Sequence, residues 1–207
     1  MCIRDRNIKY IQNAILPLEN PKNPYISVNN RNIGFLGRLS HDKGVDILLD
    51  AFEEYCSKNN EKATLIVVGS GSLSETIYQR SKRLPSHAQI IQVGFQKNPL
   101  PFLRRCKFIV IPSRQEALSL VALEAMREGI PVIASNTGGL PELIKDKFNG
   151  ILFPVEDSHY LANEISNLLA DDAVCDLYHK NTLLQYDKIK IDYNEWIHTV
   201  SYTHLTL

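Results

Sequence analysis

Two glutamates and two cations are the residues in this chain whose types and spacing could carry chemistry. Glu116 and Glu124 stand eight residues apart within residues 107–142, KFIVIPSRQEALSLVALEAMREGIPVIASNTGGLPE. From Ala117 to Met126 every residue is apolar except Ser119 and Glu124. A carboxylate in so apolar a helix is costly to bury unless a cation, hydrogen-bond donors or ligand hydroxyls meet it. Glu116 lies in the polar turn that leads into the same helix. Arg38 leaves a predicted strand, and Lys43 falls in the predicted first turn of the following helix. A cation there opposes the helix dipole unless a bound anion compensates. Free N–H groups, a lysine and an arginine together suit a diphosphate, while carboxylates accept hydrogen bonds from the hydroxyls of a ribose or hexose. A nucleotide sugar carries all of these groups. Each residue taken alone also has a plain reading: a solvated surface cation, an ordinary loop acid, or, for Glu124, a structural pair with an Arg or Lys.

Glycines flank the same positions. Gly69 and Gly71 follow a predicted strand and could let backbone approach a ligand, although a glycine turn there is common. Gly138-Gly139 could equally be turn chemistry before a short helix. The pattern is neither a full Gly-x-Gly-x-x-Gly nor a phosphate-binding P-loop. No Asp-x-Asp occurs and the six histidines do not cluster at ligand spacing, so no metal is expected. His41 lies in the Arg38–Lys43 turn, where an exposed loop histidine is the plainer reading. No Gly-x-Ser-x-Gly elbow supports a hydrolase.

Composition narrows the field further. The 207 residues carry 23 basic and 23 acidic side chains, a formal net charge of zero, and no basic run. That argues against a dedicated nucleic-acid binder. Four scattered cysteines without Cys-x-x-Cys spacing fit reduced intracellular thiols. No apolar run approaches membrane-spanning length and no signal-peptide pattern opens the chain, so a soluble, cytoplasmic protein is expected.

The elements that must position these residues alternate. Strands are expected at Asn32–Leu39, 63–69, 88–95, 107–112, 131–135 and 149–155. Helices are expected at about 43–58, 73–84, around 99–106, after the Glu116 turn, at 139–145, at 157–170 with Asp157 or Ser158 as N-cap, and around 172–190. Near-continuous apolar strands (LIVV, FIVI, PVIA) between helices predict an α/β fold, a Rossmann-like doubly wound parallel sheet covered on both faces. Ligands of such sheets sit at the carboxyl ends of the strands, where every residue singled out falls.

GRLSHDKGVDILLDAF, VVGSGSL, VGF, IPSRQEALSLVALEAMREGIPVIASNTGGLPELI and NGILFPVED closely resemble the nucleotide-binding half of retaining GT-B glycosyltransferases. The resemblance is to glycosyltransferase family 4, the glycosyl transferases group 1 type, over about residues 30–170. Glu116 and Glu124 coincide with that family's Glu-x7-Glu signature. The resemblance implies one half of a GT-B fold and a donor-binding domain. It also implies transfer of a sugar from a nucleotide-diphosphate sugar to a glycan or lipid-linked acceptor, with retention of configuration and no obligatory metal or other cofactor. Arg38 and Lys43 would hold the diphosphate and stabilise the leaving group. Glu116 would bind the transferred sugar and Glu124 the ribose, with backbone N–H groups of Leu118, Ser119 and Leu120 on sugar and phosphate. Gly37, Gly69, Gly71 and Gly94 would line the donor site, with the base near 69–71 and 93–95. Many members have Gly-Phe-Gly where this chain has Ala117-Leu118-Ser119, so side chains are expected to intrude and narrow the choice of sugar.

The ends are read separately. Residues 1–6 and 200–207 resemble translated sequencing adapter and are set aside. Residues 7–30 are expected to be an inter-domain linker, with Asn13-Ala14-Ile15 resembling the family's Asn-Gly-Ile. Residues 31–199 would form the donor domain. The acceptor site would belong to a missing N-terminal domain, leaving this chain able to bind donor weakly and to transfer nothing alone. The full protein could associate peripherally with the cytoplasmic membrane face and serve polysaccharide biosynthesis. Two other readings stand beside this one: a noncatalytic nucleotide-sugar-binding or scaffold domain, and a UDP-sugar 2-epimerase-like enzyme.

Overall fold

A computed structural model describes residues 30–204, with side-chain surroundings through Ile189. Residues 1–6, the linker 7–29 with its Asn13-Ala14-Ile15 motif, and residues 205–207 lie outside the described residues.

Six strands form one parallel sheet in the order β3-β2-β1-β4-β5-β6. They are β1 (Asn32–Leu36), β2 (Ala63–Val68), β3 (Ala88–Gly94), β4 (Phe108–Ile111), β5 (Val132–Ser135) and β6 (Gly150–Phe153). The helices are α1 (Val45–Lys58), α2 (Ser74–Ser81), α3 (Leu100–Leu103), α4 (Leu120–Arg127), α5 (Leu140–Leu143), α6 (Ser158–Ala170) and α7 (Asp172–His204). This is the expected doubly wound α/β architecture.

The sheet is sandwiched because its inner strands are apolar on both faces. Every residue of β2, β4 and β5 is buried, which is why those segments read as continuous apolar runs. Successive side chains point to opposite faces. Ile33, Phe35, Leu65, Val67, Val110 and Ile133 pack with α1 and α6 on one side. Ile66, Val68, Ile109, Ile111, Val132 and Ala134 pack with α4 and α5 on the other. Helix α7 serves both cores, placing Cys175 and Tyr178 in the first and Tyr186 and Ile189 against the second. Strand β3 is an edge, and its mixed burial follows from having one neighbour.

Chain order reverses between β1 and β4, whose register pairs Ile33 with Phe108 and Gly34 with Ile109. From β1 the sheet grows outward to β2 and β3; from β4 it grows the other way. Connections therefore leave the carboxyl ends of β1 and β4 in opposite directions and open a crevice between them, the usual ligand position in such folds.

Several elements are shorter at their ends than expected, and three differences stand out. Strand β1 ends at Leu36 rather than Leu39. Lys43 is not in the first turn of α1 but in a separate 3-10 turn, His41–Lys43. Gly44 causes the break: at φ 65° it is left-handed, and a Cβ there would lie 1.8 Å from the Pro112 carbonyl oxygen, so the chain turns before α1 begins at Val45. Helix α7 continues to His204, past the expected end near 190.

Candidate functional site

The loops after β1 and β4 meet in the crevice. Lys43 Nζ donates to Glu116 Oε2 at 2.8 Å, with the two side chains 25% and 11% exposed. Ser113 Oγ donates to the same oxygen at 3.2 Å. Both protein donors thus fall on Oε2, and Oε1 takes no hydrogen bond among the described residues. A small cleft lined by Gly37, Lys43, Pro112, Ser113, Glu116 and Ser119 opens at this point.

Backbone close approaches build the pair. Gly44 packs on Pro112, at the carboxyl end of β4, and so carries the Lys43 turn toward the Glu116 loop. From the other side, the Gly139 N–H donates to the Glu116 carbonyl at 3.1 Å. Gly138 has φ 53°, and a Cβ there would lie 1.6 Å from that carbonyl oxygen. Gly138-Gly139 therefore supports the glutamate loop as well as forming a turn. Ser135 Oγ, fully buried, donates to the Ser113 carbonyl at 2.5 Å and fixes the start of the same loop.

Helix α4 begins beside the cleft. Ser119 is its N-cap: the side-chain oxygen accepts from the Ala122 N–H at 3.2 Å, and the residue is 2% exposed. Of the three residues expected to intrude, Ser119 lines the cleft while its side chain caps its own helix. Leu118 precedes the cap and packs on the second core, while Leu120 opens the helix and is exposed. First-turn N–H groups of a helix lack intrahelical acceptors and carry partial positive charge. Glu124, one turn further on, is half-buried rather than buried, and takes no side-chain hydrogen bond or ion pair among the described residues. Burial pushes its carboxyl above the ordinary carboxylate value, and the charge of Arg127 offsets only part of this.

Arg38 is exposed and makes no side-chain hydrogen bond or ion pair among the described residues. Gly69 and Gly71 pack the loop after β2 onto the loop after β1: Cβ atoms there would lie 1.9 Å from the Gly37 oxygen and 2.3 Å from the Leu39 oxygen. Gly69 N–H donates to the Gly94 carbonyl at 2.8 Å. Gly94, at φ 79°, faces open space, and Phe95 beside it is 76% exposed. The predicted residues therefore share one edge, with Lys43 and Glu116 in contact, Arg38 free in solvent, and Gly94 two strands away from β1. His41 sits in the turn, exposed, 4.0 Å from Asp46.

Sequence reasoning missed Ser113 and Arg114. Arg114 reaches across the turn: its guanidinium donates to Asp46 at 2.8 and 2.7 Å, to Glu156 at 2.5 and 3.0 Å, and to the His41 carbonyl at 2.5 Å. Burial works to raise the Asp46 carboxyl, but the hydrogen bonds and charge of Arg114 outweigh it and hold it below the ordinary value. No group of three His, Cys, Asp or Glu side chains among the described residues is placed to hold a metal ion, and no helix among them is long and apolar enough to cross a membrane.

Comparison with known proteins gives consistent matches. The family described as Glycosyl transferases group 1 matches residues 19–183. An uncharacterized glycosyltransferase of Methanocaldococcus jannaschii, MJ1178, is 32% identical over 172 residues, covering 81% of this chain and 46% of that protein. HepE of Anabaena, solved in complex with UDP and glucose, superposes with a TM-score of 0.69 at 27% identity, over 84% of this chain and 49% of HepE. The C-terminal domain of LpcC, a glycosyl transferase group 1 family protein of Francisella tularensis, superposes with a TM-score of 0.65 at 26% identity, over 78% of this chain and 85% of that domain. The chain spans less than half the length of the curated relatives it matches.

Proposed function

The chain belongs to the glycosyl transferases group 1 family, and from that premise we propose that it is the donor-binding half of a GT-B, family-4 enzyme. In this reading the whole protein moves a hexosyl group from a nucleotide-diphosphate sugar to a glycan or lipid-linked acceptor, with retention at the anomeric carbon. The observation that carries it is the meeting of Lys43 and Glu116 at 2.8 Å across the β1–β4 crevice.

Each group then has a role that its surroundings support. The donor diphosphate lies over Lys43 and Arg38, whose charge stabilises the leaving group without an obligatory metal. Glu116 accepts from hydroxyls of the transferred sugar through Oε1, the oxygen left over by Lys43 and Ser113. Glu124 accepts from the ribose hydroxyls, which suits a half-buried carboxylate without a protein donor. The N–H groups of Ser119 and Leu120, with that of Leu118 just before the cap, face sugar and phosphate. The base lies along Gly69, Gly71 and Gly94, under the exposed Phe95. HepE, with UDP and glucose bound, supports this class of ligand.

Acceptor binding and catalytic groups on the acceptor side belong, in this reading, to the remainder of the full-length protein, which works in the cytoplasm or at the cytoplasmic membrane face. The isolated chain binds donor weakly and transfers nothing.

Calorimetric titration with UDP-, GDP- and ADP-glucose tests this. One of them should bind, and Lys43→Ala or Glu124→Ala should each weaken it by about tenfold, near 1.4 kcal/mol. Binding by none, or binding indifferent to both substitutions, favours a scaffold domain instead. Conversion of a bound UDP-sugar to its 2-epimer would favour the epimerase reading.

A further inference from the structure

We propose that Arg114 is the positioning residue of this site, holding the Lys43 turn in register with Glu116; this rests on the donor-site reading above. Arg114 stands two residues before Glu116 on the loop after β4. A guanidinium has five N–H donors in a rigid fork, and here all five are used. Nε and one Nη2 donor go to Glu156, Nη1 and the other Nη2 donor go to Asp46, and the second Nη1 donor goes to the His41 carbonyl. The Arg114 backbone N–H donates to the Asp42 carbonyl at 2.9 Å. Lys43 is thus bracketed: both residues before it are held through their carbonyls, and Asp46, three residues after it, is held through its carboxylate.

The same bonds decide that Arg114 acts through Lys43 and not on a ligand. Its side chain is 14% exposed, and its charge faces two carboxylates. No donor is left to meet a phosphate. The Lys43 side chain, in contrast, has a single ion pair among the described residues, to Glu116. Beside the exposed Arg38, the positive charge offered to a diphosphate is therefore that of Lys43, and its place is set by Arg114. Glu156 brings the loop after β6 into the same clamp; it lies at φ 71°, a left-handed conformation that is unusual for a non-glycine residue.

Two measurements test this in Arg114→Gln and in Arg114→Lys, which keeps the charge and loses the fork. The first needs no donor: acylation of Lys43 by an amine-reactive reagent, followed by mass spectrometry. The Lys43–Glu116 pair should slow it in the wild type, and both variants should raise the rate by about tenfold, close to the rate in Glu116→Ala. An unchanged rate overturns the proposal. The second measures affinity for UDP against uridine, with GDP–guanosine and ADP–adenosine in parallel. Arg114→Gln should weaken the diphosphate by about tenfold and leave the nucleoside within about twofold. In a Lys43→Ala background its effect on the diphosphate should fall to within about twofold. Equal weakening of nucleoside and diphosphate marks a purely structural residue and overturns the proposal, as does a full effect in the Lys43→Ala background. Wild-type protein that binds no diphosphate sinks the donor-site reading, while the acylation rates still decide the positioning role.

Discussion

On the proposed donor-site reading, Glu124 sets stability against function at a single side chain. Its carboxyl is raised by burial in the fold, so the folded state holds that proton more tightly than the unfolded chain does. Below the unfolded value both states are protonated and nothing is lost. As pH rises through the unfolded and then the folded value, stability is lost, and the loss persists at neutrality. Glu124→Gln should therefore be more stable than wild type at about pH 7, with the difference fading toward about pH 4, where model carboxyls titrate; urea melts at both values measure it. The same substitution should weaken donor binding, the usual conflict where a site keeps a group the fold would rather lose. This residue was legible in the sequence because one charge interrupts an apolar helix. Arg114 was not. SRQE reads as a solvated polar turn, and its carboxylate partners, Asp46 and Glu156, lie 68 and 42 positions away.

Helix α4 is short, eight residues, and one side chain caps its start. Ser119 supplies its cap, so Ser119→Ala should cost about 1 kcal/mol. In a domain of this size that lowers the melting temperature by about 2–4 °C, readable by thermal denaturation, and it should loosen a donor held by the first-turn N–H groups. The helix was expected from its sequence, but its Ser119 cap was not read there. The strands were as plain, because parallel strands covered on both faces read as near-continuous apolar runs. What local patterning did not contain is the 3-10 turn at Lys43. Gly44 next to a lysine looks like an ordinary helix start, and the Pro112 carbonyl that forces the break lies just past β4, far along the chain. Gly138 is a parallel case: NTGG signals a turn, but its support of the Glu116 loop is a tertiary contact.

At the scale of the molecule, alternation of strand and helix predicted a parallel sheet but not its order. The order is what makes the site. With β1 and β4 adjacent at the reversal, two loops separated by 73 residues between Lys43 and Glu116 arrive at one crevice. Neither loop contains a phosphate-binding glycine signature, so neither announced itself alone.

The Lys43–Glu116 ion pair also makes the crevice self-neutralised. A bare anion meets only the ammonium, whose charge the carboxylate already offsets, whereas a phosphorylated sugar can meet the remaining Lys43 N–H donors and Glu116 Oε1 at once. On the proposed donor-site reading the pair would favour a ligand that carries both phosphate and hydroxyl groups over inorganic phosphate. Glu116→Gln removes the competitor for the ammonium. It should tighten inorganic phosphate by a few-fold while loosening the nucleotide sugar by about tenfold, two opposite shifts that one pair of titrations can detect.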